Sequence, residues 1–393
     1  GLANDAHVKV LCAQPTYSKR GIRAAKHEIH KGVEIFRVAS TTLNKNVIPL
    51  RMINMMTLGI GTLFNAMRRL KKGDLVLVVT TPPSTPFFIA LASLARGAAY
   101  TLLIHDSYPD LLVAVGKTRP NSIFVRLMNH ANRWLFKHSS KIIVVGRDML
   151  DLTERKTAGL DIPIVNIPNW AELETISPAL RNENELLEEL GLIDKVVFLY
   201  AGNMGHPNDM ESIVECAAKI APEEKAHFIF LGAGAKRKWL ETQVSTQNLT
   251  NVTLLDPRHR AEQQIFLNAC DVAIVSLVFG MKGVSMPSRT YNALAAGKPL
   301  LGIVEKGSET DLVITENRIG WSSDPQKPDE LLCTIREILK SSDKLPEMGK
   351  RARLVAVRDY SLDKAMISYK CVFSQTVKNK QLIKSRKQEF AED

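Results

Sequence analysis

The chain has 393 residues, 45% of them hydrophobic and 24% charged, enough apolar material for two compact domains and too much for extended disorder. Its net charge is 52 − 41 = +11, and the excess is one-sided: residues 1–170 hold 23 Lys/Arg against 10 Asp/Glu, whereas residues 171–393 hold 29 against 31. Five widely spaced cysteines without a Cys-x-x-Cys pair exclude a disulfide framework and a cysteine zinc site, and no stretch reaches the roughly 20 uncharged apolar residues of a spanning helix.

The opening Gly1-Leu2-Ala3-Asn4-Asp5 has neither the basic region nor the apolar core of a signal peptide, so a cytosolic setting is expected. Short Val/Ile-rich runs then predict strands at Val8–Cys12 and Val33–Val38. Residues 52–67 carry no charge and lead straight into Arg68, Arg69, Lys71 and Lys72. Such a segment is either a buried helix packed on the first sheet or an interfacial helix with a basic end. Further strands are predicted at Leu75–Thr80 and Tyr100–Ile104. The second of these delivers His105 and Asp106 to the mouth of a sheet, where a His and an Asp can orient a hydroxyl or steady a developing charge. Lys141–Val145 and Ile164–Ile167 complete the first half, and a seam is expected near Pro168-Asn169-Trp170.

Beyond the seam, strand Val196–Tyr200 runs into Gly202, Asn203 and Gly205, whose glycines permit a tight turn with amides facing an anion; Asn208 is the expected cap of the next helix. Strand His227–Leu231 runs into Gly232, Gly234 and Lys236. This opens like a dinucleotide fingerprint, but Arg237 stands at the third glycine position, so an NAD site is not supported. Strands Val252–Leu255 and Val272–Val275 follow. Pro287, Ser288 and Arg289 then open a helix closed by Gly297 and Pro299 before strand Leu300–Val304. Its amide end, the Ser288 hydroxyl and the Arg289 guanidinium make a candidate diphosphate site. Eleven strands alternating with helices predict an α/β protein of two doubly wound, Rossmann-like layers, divided as residues 1–168, 169–358, and a closing helix with polar tail over 359–393. No metal site is expected, because His27-Glu28-Ile29-His30 lacks a further cluster and no Asp-x-Asp occurs.

These residues resemble the GT4 family of retaining, GT-B-fold glycosyltransferases, and within it the bacterial branch that builds O-antigen, capsule and colanic-acid repeats, including N-acetyl-fucosamine transferases. The resemblance is carried by Gln14-Pro15-Thr16-Tyr17, Thr81-Pro82-Pro83, His105 to Gly116, Val165 to Glu172, Tyr200 to Gly205 and Pro287 to Pro299. It implies two domains facing a central cleft, with a nucleotide diphosphate-sugar bound mainly by the second. Gly202, Asn203 and Gly205 would cradle the diphosphate, Gly232, Gly234 and Lys236 would border the nucleotide, and Pro287, Ser288 and Arg289 would hold the phosphates. Tyr291 and Asn292 would face the donor, and His105 and Asp106 would touch its sugar. The helix near Tyr360 to Ser374 would cross back to the first domain. No cofactor or metal is implied; positive groups would stabilise the departing diphosphate.

The family's two glutamates around the third loop are replaced by Val284 and Asn292, so a carboxylate role does not transfer. The family also begins with a strand, a glycine-rich loop and most of a helix before the point matching Gly1, so the first sheet is expected to lack its N-terminal strand. The function implied is transfer of a sugar, from UDP by family likeness, to a lipid-linked oligosaccharide, with the basic first domain resting on the anionic inner face of the plasma membrane. Two alternatives are a GT-B sugar-nucleotide epimerase, which wants acid/base carboxylates in the cleft, and a nucleic-acid-binding protein. The latter lacks any recognition motif, and aromatics are only 6% of the chain.

Overall fold

The computed structural model describes residues 1–15, 24–43 and 47–374; Thr16, Tyr17 and the polar tail from 375 lie outside them. The first strands are β1 (Lys9–Ala13), β2 (His27–His30) and β3 (Val33–Val38). β3 pairs parallel with β1 and antiparallel with β2, in a hairpin turned at Lys31-Gly32. Next come α1 (Ile48–Arg69), β4 (Leu75–Val79), α2 (Thr85–Arg96), β5 (Ala99–Ile104), α3 (Asp110–Ala114), α4 (Ile123–His138), β6 (Lys141–Val144), α5 (Arg147–Thr157) and β7 (Ile164–Asn166). β4 to β7 form a second sheet, parallel and in chain order. β1 and β4 are not hydrogen-bonded to each other, and their edges leave Val10, Leu77 and Val79 partly in solvent. The first half thus holds two sheets rather than one continuous layer.

The second half carries α6 (Glu185–Glu189), β8 (Val196–Ala201), α7 (Glu211–Lys219), β9 (Ala226–Leu231), α8 (Arg237–Thr246), β10 (Val252–Leu255), α9 (Gln263–Asn268), β11 (Val272–Ser276), α10 (Arg289–Ala295), β12 (Leu300–Ile303), α11 (Glu309–Asn317), β13 (Gly320–Ser323), α12 (Pro328–Lys340) and α13 (Leu345–Asp359). Its sheet is fully parallel with order β10-β9-β8-β11-β12-β13. The chain moves outward from β8 in one direction and from β11 in the other. The crevice at the carboxyl ends of β8 and β11 is therefore the topological switch point, where open α/β sheets bind ligands.

All eleven expected strands form within a residue or two of their expected limits; β2 and β13 were not expected. β2 reads His-Glu-Ile-His on an exposed hairpin edge and β13 reads Gly-Trp-Ser-Ser on a sheet edge, so neither shows an apolar run. The buried apolar side chains of β5, β6 and α10 and one face of β8 and β11 join one core that also takes in Tyr360, Tyr369 and Val372, while Phe198, Tyr200, Val272 and Ile274 face a second core on the other side of the sheet. The final helix, 362–374, packs against the start of the chain: Met366 meets Gly1, and Lys370 pairs with Asp5 at 2.6 Å.

Candidate functional site

The loop after β8 is built by close approach of backbone to backbone. A Cβ on Gly232 would collide with the Gly202 carbonyl and one on Gly234 with the Met204 backbone, while Gly202 and Gly232 stand at φ +142° and +143°, where side chains are strained. The two loops extend the sheet ladder, Met204 N donating to Ala233 O and Lys236 N to Met204 O, both at 2.9 Å. Asn208 is not a helix cap. Its Nδ2 donates to Asn203 O at 3.1 Å and Gly205 O at 3.3 Å, tying the turn, and the helix starts at Glu211 with buried Asp209 accepting from Ser212 N.

Arg289 lies on this turn. Its guanidinium carbon is 4.2 Å from the Tyr200 ring centroid and 3.2 Å from where a Gly202 Cβ would stand, and Nη2 reaches Asn208 Oδ1 at 3.5 Å. Tyr200 in turn donates its hydroxyl to Asn203 O at 2.7 Å, so one aromatic ring holds both the cation and the exposed turn. Arg289 Nη1 is buried and has no hydrogen-bond partner among the described residues. A buried cationic donor left in this state is costly, and an anionic oxygen is the group that satisfies it.

Two expectations change here. The helix opens at Arg289 rather than Pro287, and Thr290 N and Tyr291 N already bond to Pro287 O (3.2 Å) and Ser288 O (3.3 Å), so fewer free amides face outward; Pro287 is half-buried and Ser288 exposed beside them. Tyr291 and Asn292 do not line the crevice. Tyr291 is buried edge-on against Tyr360, 4.8 Å between centroids, with its hydroxyl held far above its usual range by burial. Asn292 spans between Glu172 N (3.1 Å) and Gln263 Oε1 (3.2 Å), fastening the seam to α9 and α10. Helix periodicity accounts for Tyr291, which lies about 200° around the helix from Arg289; Asn292, nearly a full turn on, is instead held by its own bonds to the seam and to α9. Lys236 is also engaged, its ammonium shared by Glu211 Oε2 and Asn208 O, both at 2.7 Å.

From the first half, the loop after β5 meets this region directly. Ser107 N donates to Val284 O at 2.8 Å, and Ser285 Oγ donates to Asp106 Oδ1 at 2.6 Å. Asp106 also accepts from Thr81 Oγ1 at 3.4 Å, so its carboxylate acts as a joint between the halves. His105 is half-buried with its amide donating to Thr80 Oγ1 at 3.2 Å; burial pulls its pKa down, Asp106 opposing, which keeps the imidazole neutral near pH 7. A deeper tie lies behind: buried Glu309 accepts from Arg147 N (2.7 Å) and Nε (2.9 Å), and Asp148 accepts from Gly283 N (2.9 Å). Ser285, Tyr200 and Asn208 were not among the expected site residues. Of these only Tyr200, an aromatic ending a strand before a glycine turn, carried a readable signal.

No group of three His, Cys, Asp or Glu side chains able to hold a metal ion occurs among the described residues.

Known proteins resemble this chain in sequence and in fold. The family description "Glycosyl transferases group 1" matches residues 182–355. A Pseudomonas aeruginosa relative named as a glycosyltransferase, WbjE, is 32% identical over 293 residues, 75% of this chain and 72% of its own. An Escherichia coli (strain K12) relative named as a colanic acid biosynthesis glycosyl transferase, WcaI, is 25% identical over 327 residues, 80% of this chain and 77% of its own. Among solved structures, sucrose-phosphate synthase from Thermosynechococcus elongatus superposes with a TM-score of 0.77 at 16% identity, covering 95% of this chain and 90% of its own. Anabaena HepE in complex with UDP does so at 0.66 and 15%, covering 87% and 86%. These structures place the fold among the GT-B glycosyltransferases.

Proposed function

Because this chain belongs to the group 1 glycosyltransferases, we propose that it transfers a sugar, with retention, from a nucleotide diphosphate-sugar to a lipid-linked oligosaccharide during bacterial surface polysaccharide synthesis. The donor in this reading is UDP-linked and its sugar an amino sugar of the N-acetyl-fucosamine type. Residues 169–358 form the donor domain, residues 1–168 the acceptor domain, and the stretch from 359 the closing helix and tail. The setting is the cytoplasmic face of the membrane.

The observation that carries the donor half is Arg289: a cation stacked on Tyr200, over a glycine turn at the switch point, with one buried donor still unpartnered. Arg289 binds the diphosphate, aided by the Ser288 hydroxyl beside Pro287 and by the amides of Asn203 and Gly205; Gly202, whose own amide is bonded to Leu231 O at 2.9 Å, leaves room beside the guanidinium, Gly232 and Gly234 hold that turn in place, and Lys236 borders the nucleotide. When the bond from the anomeric carbon to the diphosphate breaks, negative charge builds on the leaving oxygen. A fixed guanidinium stabilises it without reorganisation. The acceptor hydroxyl takes the anomeric carbon, and its proton leaves with the nucleoside diphosphate. His105, neutral, orients a sugar hydroxyl as hydrogen-bond partner, and Asp106 holds the loop that presents it. Support for the polysaccharide setting comes from the colanic-acid name of WcaI and from WaaG, a glycosyltransferase of lipopolysaccharide biosynthesis with the same fold.

The test is to incubate the chain with UDP-sugars, with and without a lipid-linked acceptor. The proposal expects UDP release that depends on the acceptor. An epimerised sugar nucleotide formed without acceptor would replace it with the epimerase reading.

A further inference from the structure

The connections β4-α2-β5 and β5-α4-β6 join adjacent parallel strands, so α2 and α4 lie on the same face of that sheet. α1 packs on α2 and α2 on α4, making one helical layer. No Asp or Glu occurs in any of the three helices. The layer's outer surface is apolar at many points. On α1, Met52, Met56, Ile60 and Phe64 repeat every fourth residue as a stripe about 18 Å long and are all exposed, Phe64 by 65%. On α2, Leu91 and Leu94 are exposed, and on α4 Ile123, Phe124 and Leu127, the last by 66%. Exposed cations border them: Arg51 and Arg68 on α1, Arg96 at the end of α2, Arg126 and Lys137 on α4.

We propose that the outer face of the α1–α2–α4 layer is an interfacial membrane-binding surface for anionic lipid, with Phe64, Ile123 and Leu127 entering the acyl boundary and the arginines at headgroup level. This deepens the lipid-linked acceptor reading and rests on it for its purpose, though not for its geometry. A water-facing helix layer ordinarily mixes both charges around scattered apolar residues; three adjacent helices with no carboxylate and a continuous apolar stripe match a negatively charged, oily surface. No helix among the described residues is long and apolar enough to cross a membrane, so the contact lies in the interface plane. α4 also lines a small cavity, through Met128, Asn132 and Phe136, that takes in Thr80 and Asp106.

The experiment is vesicle sedimentation of the full chain with phosphatidylcholine alone and with phosphatidylcholine plus phosphatidylglycerol, at low and high salt, alongside UDP calorimetry and light scattering. Expected are preference for the anionic vesicles, a fraction of binding that survives high salt because apolar contact is not screened, and a drop of about tenfold in bound protein for the double variant Phe64→Glu, Leu127→Glu. Its melting temperature and UDP affinity should match the parent. Equal sedimentation of parent and variant, no preference for anionic vesicles, or a dimer that the same variant dissolves would overturn the proposal. Loss of UDP binding with vesicle binding intact would instead remove the donor reading and leave this surface standing.

Discussion

The hydroxyl of Ser285 donates to Asp106 Oδ1 across 2.6 Å, pinning the loop after β5 to the loop that leads into α10. His105, proposed to orient the donor sugar, and Arg289, proposed to hold the diphosphate, are thereby set in one frame. Ser285→Ala removes one hydrogen bond to a carboxylate and should cost about 1–2 kcal/mol in urea unfolding. It should also raise KM for the donor more than it lowers kcat, since it loosens the frame without touching the reacting atoms.

The second tie between the halves is Arg147 with Glu309. The Glu309 side chain is only 5% exposed, so Arg147→Ala leaves a buried carboxylate short of its cation, and a loss of about 2–4 kcal/mol is expected by chemical denaturation. The exposed partner Glu316, also bonded to Arg147, should matter little: Glu316→Gln within about 0.5 kcal/mol.

Gly232 and Gly234 are required by their neighbours' backbones rather than by a ligand. Alanine at either position must displace the Gly202–Met204 turn, and a destabilisation of at least about 2 kcal/mol with loss of UDP binding is expected. A melting curve identical to the parent's would show that the turn is built differently.

The strands and the two sheet-end loops were legible because parallel strands buried on both faces write themselves as uninterrupted apolar runs, as at Val196–Tyr200 and Val272–Val275. The exposed hairpin strand at His27–His30 has no such signature. The close packing of the two sheet-end loops was legible in Gly202 and Gly232, where backbone conformation and near neighbours leave no place for a side chain. Side-chain direction in the third loop was not legible: Tyr291 packs into the core, Asn292 bonds Glu172 N and Gln263 Oε1, and a helix start two residues later than Pro287-based capping suggests spends amides expected to be free. The Asp106–Ser285 contact joins residues 179 apart, which no local pattern records.

His227 is buried between strands, bonded to Thr253 Oγ1 at 2.7 Å, and its pKa is pushed down to about 4 by burial, with Lys195 adding to the effect. The folded chain thus refuses a proton that the unfolded chain accepts near pH 6.5. Stability should be unaffected by this group above that pH and should fall as pH drops from about 6.5 toward 4. His227→Gln should flatten the melting temperature over that window; an unchanged slope would place the acid sensitivity elsewhere.

The central claim is that Arg289, stacked on Tyr200 over the Gly202 turn, binds the donor diphosphate. Isothermal titration of UDP into the chain and into Arg289→Ala tests it most directly. One site is expected for the parent, weakened by about 1.5–3 kcal/mol, roughly 10- to 150-fold, in the variant. Equal UDP affinity in the two proteins would contradict the account.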